Sequence, residues 1–273
     1  MTTRIFHGDR LVNSIEGDDR GLAYGDGVFE TMLVHRGQPV WWREHWDRLE
    51  RGARVLGMAM PAESGVRSEC ERLVADAARA VLKIILSRGG GGRGYAPPPN
   101  AVPTLVLSRH NPPPPSPREG VALRWCQTAL AIQPALAGIK HCNRLEQVLA
   151  RAEWNDPDIF EGLMCDTDGR VVSATAANLF ARIDGRWLTP TLRRCGVAGI
   201  ARGWLLQRLD QASEADLAPA EVENAEAVFL CNAVRGILPV RRLGQRQWSP
   251  DAGIEDARRQ LLQAQPAFSP EES

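Results

Sequence analysis

Only two of the 33 lysine and arginine residues in this chain of 273 are lysine, Lys83 and Lys140. Lysine is ordinarily among the commonest residues. Arginine keeps its proton near neutral pH and cannot act as an amine nucleophile. If this chain forms a Schiff base, it has two candidates. Composition alone leaves chance survival as open as chemistry. Lys83 lies inside the apolar run Val81-Leu-Lys-Ile-Ile-Leu86 and reads as a structural residue at a sheet edge. Lys140 lies in Gly138-Ile-Lys-His-Cys-Asn-Arg144, between a strand and a helix. Asn143 is a good N-cap, and Glu146 follows three residues later as in a capping box. The positive end of a helix, together with desolvation, favours a free amine over an ammonium. A surface lysine in a loop would share the same local sequence.

The glycine-rich segments add binding chemistry. Gly89-Gly-Gly-Gly-Arg-Gly94 matches the dinucleotide pattern, but Tyr95-Ala-Pro-Pro-Pro follows and no helix can start there. A phosphate-binding P-loop is excluded because no Lys-Ser or Lys-Thr follows. What remains is a pliable loop flanked by Arg88 and Arg93, suited to a small molecule bearing carboxylates or else merely solvated. Cys195-Gly-Val-Ala-Gly-Ile200 precedes a predicted helix, so the amides around Gly196, Val197 and Ala198 form a candidate phosphate site. Arg48, on a predicted helix over 44–56, either adds a fixed charge to that phosphate or belongs to the helix's wet face.

Composition removes several classes of function. Formal net charge is zero, which gives no general attraction to nucleic acid or anionic membrane. No apolar run has transmembrane length, and the first residues lack a signal-peptide core. The six cysteines are scattered, with no Cys-x-x-Cys, and there is no His-Glu-x-x-His. These features point to a chain with no metal, in a reducing cytoplasm, acting on a small molecule.

The elements that must position these residues can be read from periodicity. Strands are expected at 4–7, 27–36, 81–86, 104–108, 121–132, 162–166, 171–175, 178–182 and 227–231. Helices are expected at 44–56, 70–80, 143–154 and 197–209, with another after Pro250. In the helix at 143–154, Leu145, Val148, Leu149 and Ala152 share one face. The run Asn111-Pro-Pro-Pro-Pro-Ser-Pro117 cannot join a helix or central strand. It reads as a linker at 111–118 between an N-terminal domain at 1–110 and a C-terminal domain at 119–273, or as a surface loop of one domain. The first domain reads as a small α+β layer.

Taken together, these residues resemble the fold-type IV pyridoxal-phosphate enzymes, which include branched-chain and D-amino-acid aminotransferases and a lyase acting on aminodeoxychorismate. The resemblance runs from about Tyr24 to Pro239. It is carried by Tyr24-Gly-Asp-Gly-Val-Phe-Glu-Thr31, His45-Trp-Asp-Arg48-Leu, Lys140, Ala177-Asn178-Leu-Phe180, Gly196-Val-Ala198 and Cys231-Asn232-Ala233. It implies an α+β fold of two domains, the second a mixed, β-barrel-like domain that binds pyridoxal 5′-phosphate. It also implies a homodimer. Lys140 is implied as the Schiff-base lysine and catalytic base. Arg48, Ser173, Asn178, Gly196, Val197, Ala198 and Asn232 are implied around the cofactor.

Two segments are similar to the lyase members: Ser87-Arg-Gly-Gly-Gly-Gly-Arg93-Gly-Tyr95 and Lys140-His-Cys-Asn-Arg-Leu-Glu-Gln-Val-Leu-Ala-Arg151. They imply conversion of 4-amino-4-deoxychorismate to 4-aminobenzoate and pyruvate. Charge and placement, and not the resemblance, make Arg93, together with Arg88 or Arg109, the expected partner of substrate carboxylates. An aminotransferase of the same fold and a catalytically impaired relative are the alternatives. Ser173 stands where the family has a glutamate paired with the pyridine nitrogen, and Leu33 where many relatives carry arginine. A serine can only hydrogen-bond that nitrogen, so the ring is a weaker electron sink. The loss weighs more against transamination than against a lyase whose product becomes aromatic.

Overall fold

The structure is a computed structural model that describes residues 2–117 and 119–269. Arg118, at the end of the expected linker, and the acidic tail from Pro270 lie outside the described residues. The chain forms two compact units. The first holds the described residues up to Pro113 together with Ile139–Asn143; the second holds Pro114–Gly138 and the described residues from Arg144 onward.

In the first unit, β1 (Thr2–His7), β2 (Arg10–Val12), α1 (Arg20–Tyr24), β3 (Gly27–His35), β4 (Gln38–Pro39), α2 (Trp42–Val55), α3 (Glu63–Val74), β5 (Arg79–Ser87) and β6 (Thr104–His110) follow in order. The strands form a six-stranded sheet in the order β2-β1-β6-β5-β3-β4, antiparallel throughout. Alternation along each strand sorts its side chains to two faces. Val28, Met32, Leu82, Ile84, Leu86 and Leu107 pack with Trp46, Leu49 and Ala53 of α2 and with Val66, Cys70 and Leu73 of α3. Each such side chain removed from water contributes about 1.5–3 kcal/mol. Phe29, Thr31, Lys83, Ile85 and Val106 share the other face and are half-buried.

Three expectations change here. The second helix starts earlier than 70–80, because its buried stripe is Val66, Cys70, Leu73 and Val74, and Arg79 already begins β5. Lys83 is not at a sheet edge: β5 lies between β3 and β6. Lys140 belongs to the first unit, not the second. The Phe29 N–H donates to the Lys140 carbonyl (2.9 Å), and the Cys142 N–H to the Gly27 carbonyl (2.8 Å). The segment therefore runs beside β3 like a short extra strand, bridging at Val28 and His141.

The second unit contains β7 (Val121–Trp125), α4 (Leu145–Arg151), β8 (Glu161–Cys165), β9 (Val171–Ala174), β10 (Asn178–Ile183), β11 (Arg186–Pro190), α5 (Ile200–Leu206), β12 (Ser213–Ala215), α6 (Pro219–Glu223), β13 (Ala227–Asn232), β14 (Gly236–Leu243), β15 (Arg246–Gln247) and α7 (Ala252–Ala264). Its mixed sheet runs β12-β11-β10-β13-β14-β7-β8-β9, with β15 on β14. The β11–β12, β14–β7 and β7–β8 pairs are parallel. Phe180 and Phe229 stack across β10 and β13 with centroids 5.0 Å apart, and the Trp187 ring meets Phe229 edge-on at 4.9 Å.

Here too the sequence expectation needs correction. The strand from Val121 ends at Trp125. The helix expected from Asn143 begins at Leu145, and its N-cap, Arg144, makes no side-chain cap. Asn143 donates instead to the Gly25 carbonyl (3.1 Å), and Glu146 accepts from the Ala131 N–H (2.8 Å). The capping box therefore does not form. The apolar face of α4 is turned outward: Leu145, Val148 and Leu149 are exposed, while Ala150 is buried.

Candidate active site

The first unit presents the amine. Lys140 is half-buried, and its Nζ lies 4.3 Å from the centroid of the Phe29 ring. The residue before Phe29 and the residue after it point through the sheet to α2. There Glu30, fully buried, accepts from Arg48 Nε (2.7 Å) and Arg48 Nη2 (2.6 Å), and His45 Nδ1 lies 2.6 Å away. A charged carboxylate can only accept, so the His45 proton sits on Nδ1. Burial works against the Glu30 charge, but Arg48 and His45 overcome it and hold the carboxyl down to about 2. Burial, more than any neighbour, pushes the His45 imidazole down, so the ring is neutral at pH 7. Arg48 is thus not the helix's wet face. It is a buried cation aligned by a buried carboxylate, and Leu49 beside it packs in the core.

The second unit presents backbone. Gly196 has φ of +88°, a left-handed conformation that L side chains rarely adopt, and a Cβ there would come within 2.7 Å of Val172. The Gly138 N–H donates to the Gly196 carbonyl (2.9 Å), and the Ala198 N–H to the Gly138 carbonyl (3.0 Å). Asn178, buried on β10, donates from Nδ2 to the Val197 carbonyl (3.0 Å). Gly199 must be glycine because a Cβ would run into Asn178 Oδ1. Ala198 has therefore committed its amide, whereas the Val197 N–H has no acceptor among the described residues. Asn232 ends β13 and folds its own loop: its Oδ1 accepts from the Val234 N–H (3.0 Å) and the Arg235 N–H (2.8 Å), and its Nδ2 donates to the Ala176 carbonyl (3.3 Å). Asn178 and Asn232 thus shape turns rather than offering free amides. Ser173 is half-buried on β9, across from Met164 of β8.

Two of the three arginines expected to bind substrate do other work. Arg88 is buried, with Nε and Nη2 on the Asp26 carboxylate, Nη1 on the Gly57 carbonyl (2.9 Å) and Nη2 also on the Leu56 carbonyl (2.6 Å). It fixes a loop. Arg109 pairs with Asp76 and lies opposite Leu82 in the β5–β6 register, on the helix side of the sheet. Arg93 is exposed, in a loop that Arg20 ties down through the Gly94 and Tyr95 carbonyls.

Sequence reading passed over three residues that the structure makes central. Glu30 lies inside the quoted glycine motif, and its alternation with Phe29 is the signal that it points to α2. Phe29 carries the ring beside Lys140. Glu161 is buried on β8, where it accepts from Thr175 Oγ1, the Gly162 N–H (3.0 Å) and the Ala176 N–H (3.2 Å). Burial pushes its carboxyl upward against those hydrogen bonds. It steadies the turn between β9 and β10, which carries the Ala-Asn-Leu-Phe segment.

The chain matches the model of the Amino-transferase class IV family over residues 27–243. The chain belongs to the class IV aminotransferase family. It is 34% identical over 250 residues to an aminodeoxychorismate lyase of Vibrio harveyi, covering 89% of this chain and 92% of the relative. The crystal structure of 4-amino-4-deoxychorismate lyase from Pseudomonas aeruginosa superposes with a TM-score of 0.91 at 42% identity, covering 97% of this chain and 99% of that one. The branched-chain amino acid aminotransferase of Escherichia coli shares the fold, with a TM-score of 0.81 at 20% identity, over 94% of this chain and 92% of that one.

The cofactor of this class IV protein is pyridoxal 5′-phosphate. The residues present fit it by the chemistry of their donors. An aldehyde needs an amine, and Lys140 is one of only two lysines. A phosphate needs fixed donors: in the first unit Glu30 fixes the Arg48 guanidinium, and in the second Asn178 fixes the turn that carries the Val197 N–H. The pyridine nitrogen needs a side-chain partner, and Ser173 brings a hydroxyl.

Removing one partner of a buried ion pair leaves the other charge uncompensated. Glu30→Gln is expected to lower stability by about 3–5 kcal/mol in chemical denaturation. Glu30's carboxyl is depressed, so its stabilising contribution is full above the ordinary carboxylate range and is lost as pH falls toward about 2. The wild-type protein should lose stability steeply across that window, and the Glu30→Gln protein less so.

Proposed function

We propose that this chain catalyses the aminodeoxychorismate lyase reaction, taking 4-amino-4-deoxychorismate to 4-aminobenzoate and pyruvate on the way to folate. The observation that carries this reading is the near full-length likeness to two lyases at 34% and 42% identity. Its structural complement is the placement of Lys140 beside Phe29.

Bound pyridoxal phosphate supplies an electron sink for charge that develops at the ring carbon bearing nitrogen. Lys140 would hold the cofactor, and its Nζ would be free for proton transfer once the substrate's amine takes its place. Its freed Nζ takes the proton from that carbon, acting as general base. The C–O bond to enolpyruvate breaks and the ring becomes aromatic. The Lys140 ammonium returns a proton to the departing enolpyruvate, which becomes pyruvate. Arg48 would supply a charge for the phosphate, and the Val197 N–H, in the turn that Gly196 and Ala198 shape, would be a backbone donor of the kind a phosphate takes. Ser173 hydrogen-bonds the pyridine nitrogen. Arg93 receives a substrate carboxylate. Asn178 and Asn232 keep the binding turns in shape.

The driving force of aromatisation makes a weak sink sufficient, which suits Ser173 at that position. An aminotransferase must instead hold a carbanion through a 1,3-proton shift. Six free cysteines suit the reducing cytoplasm, which cell fractionation checks. The exposed Leu145, Val148 and Leu149 of α4 suit a homodimer, and sedimentation equilibrium at twice the chain mass is the expected result.

Lys140→Ala should abolish 4-aminobenzoate formation, with a loss on the order of 10³-fold or more. The assay couples pyruvate release to substrate made in situ. Normal product formation by that variant would refute the chemistry. Glutamate made from an amino acid and 2-oxoglutarate, with no pyruvate from aminodeoxychorismate, would favour the aminotransferase.

A further inference from the structure

In the first unit, the β1–β2 hairpin, the loop over 13–19 and the chain leading into β6 enclose a cavity of about 470 Å³. Small-molecule sites typically span about 300–1,000 Å³. None of the residues assigned to the cofactor or the substrate lines this cavity. Part of its wall is a row of donors. His7 is the register partner of Arg10 on β2 and of Thr104 on β6, so the three side chains share one face of the sheet. All three line the cavity. The loop over 13–19 contributes carboxylates from Glu16 and Asp18. Asp18 lies against the base of the glycine loop, where a Cβ at Gly90 would come within 3.2 Å of its Oδ1.

The neighbouring Asp19 is spent on structure: its carboxylate accepts from the Gly21 N–H (2.8 Å) and from Ser87 Oγ (2.9 Å). The side chains of Glu16, Asp18, His7 and Arg10 have no hydrogen-bond or ion-pair partner among the described residues. Elsewhere in this unit exposed arginines take nearby carboxylates, as Arg43 takes Asp47, Arg54 takes Glu50 and Arg67 takes Glu71. Here donors and carboxylates line one cavity and stay apart. A single ligand carrying both signs of charge satisfies both sets. Val12, Ile15, Pro98 and Val102 add apolar surface to the lining. We propose that this cavity binds a small aliphatic amino acid as its zwitterion. Its carboxylate meets Arg10, His7 and Thr104, its ammonium meets Glu16 and Asp18, and its side chain lies on the apolar lining. The proposal does not rest on the lyase reading.

The test is binding to the full-length holoenzyme after borohydride reduction, which removes the cofactor aldehyde that would otherwise take up amines. Calorimetry titrates L-leucine, 4-methylpentanoate, which lacks the amine, and 3-methylbutylamine, which lacks the carboxylate. Leucine should bind once per chain with a Kd of about 1 mM or tighter, and each one-charge analogue at least about tenfold more weakly. Arg10→Met and Asp18→Asn, both at exposed positions, should each weaken leucine binding about tenfold or more while circular dichroism stays unchanged. If either variant does not fold, Arg10→Gln or Asp18→Ser gives the same reading. No binding of leucine at about 10 mM, analogues that bind as well as leucine, or leucine binding that either variant retains in full would overturn the proposal.

Discussion

Two backbone hydrogen bonds decide where Lys140 lies. They join Phe29 and Gly27 of β3 to Lys140 and Cys142. β3 pairs with β5 along its whole length, but β4 covers its other edge only at Val34 and His35. The edge beside Gly27–Phe29 would otherwise carry unpaired peptide groups, which are costly when buried. Ile139–Asn143 satisfies them, and in doing so lays a lysine next to an aromatic ring. The position of Lys140 thus follows from completing a sheet, and not from the helix that comes after it.

The same strand organises the charge on its other face. Glu30 is one residue from Phe29, so alternation sends it toward α2, where it fixes Arg48 and His45. One strand therefore sets both an amine on one side and an oriented guanidinium on the other. In the second unit the equivalent work is done by amide side chains: Asn178 and Asn232 spend their hydrogen bonds on the Val197 carbonyl and on the loop after β13. Precision there comes from backbone turns that admit only glycine at 196 and 199.

Much of this was legible in the sequence because it depends on local pattern. The apolar spacing of Trp46, Leu49 and Ala53 marked α2, and the scarcity of lysine narrowed the Schiff-base candidates to Lys83 and Lys140. What was not legible depends on which strand lies beside which. Nothing local to Gly138–Asn143 says that it pairs with β3. The capping box at Asn143 was plausible in isolation, but Gly25 and Ala131, distant in sequence, claimed Asn143 and Glu146. Arg88 and Arg109 looked available beside a flexible loop and on a strand, yet Asp26 and Asp76 neutralise them. Leu145, Val148 and Leu149 have core spacing but are exposed, since periodicity shows that a face is apolar without saying what covers it.

The account rests on the proposal that Lys140, and not Lys83, is the lysine joined to the cofactor. Borohydride reduction of the protein as purified, followed by peptide mapping, reads this directly. The pyridoxyl group should be found on the peptide containing Lys140 and on no other. A pyridoxyl group on the Lys83 peptide, or a reduced protein with none at all, would contradict it.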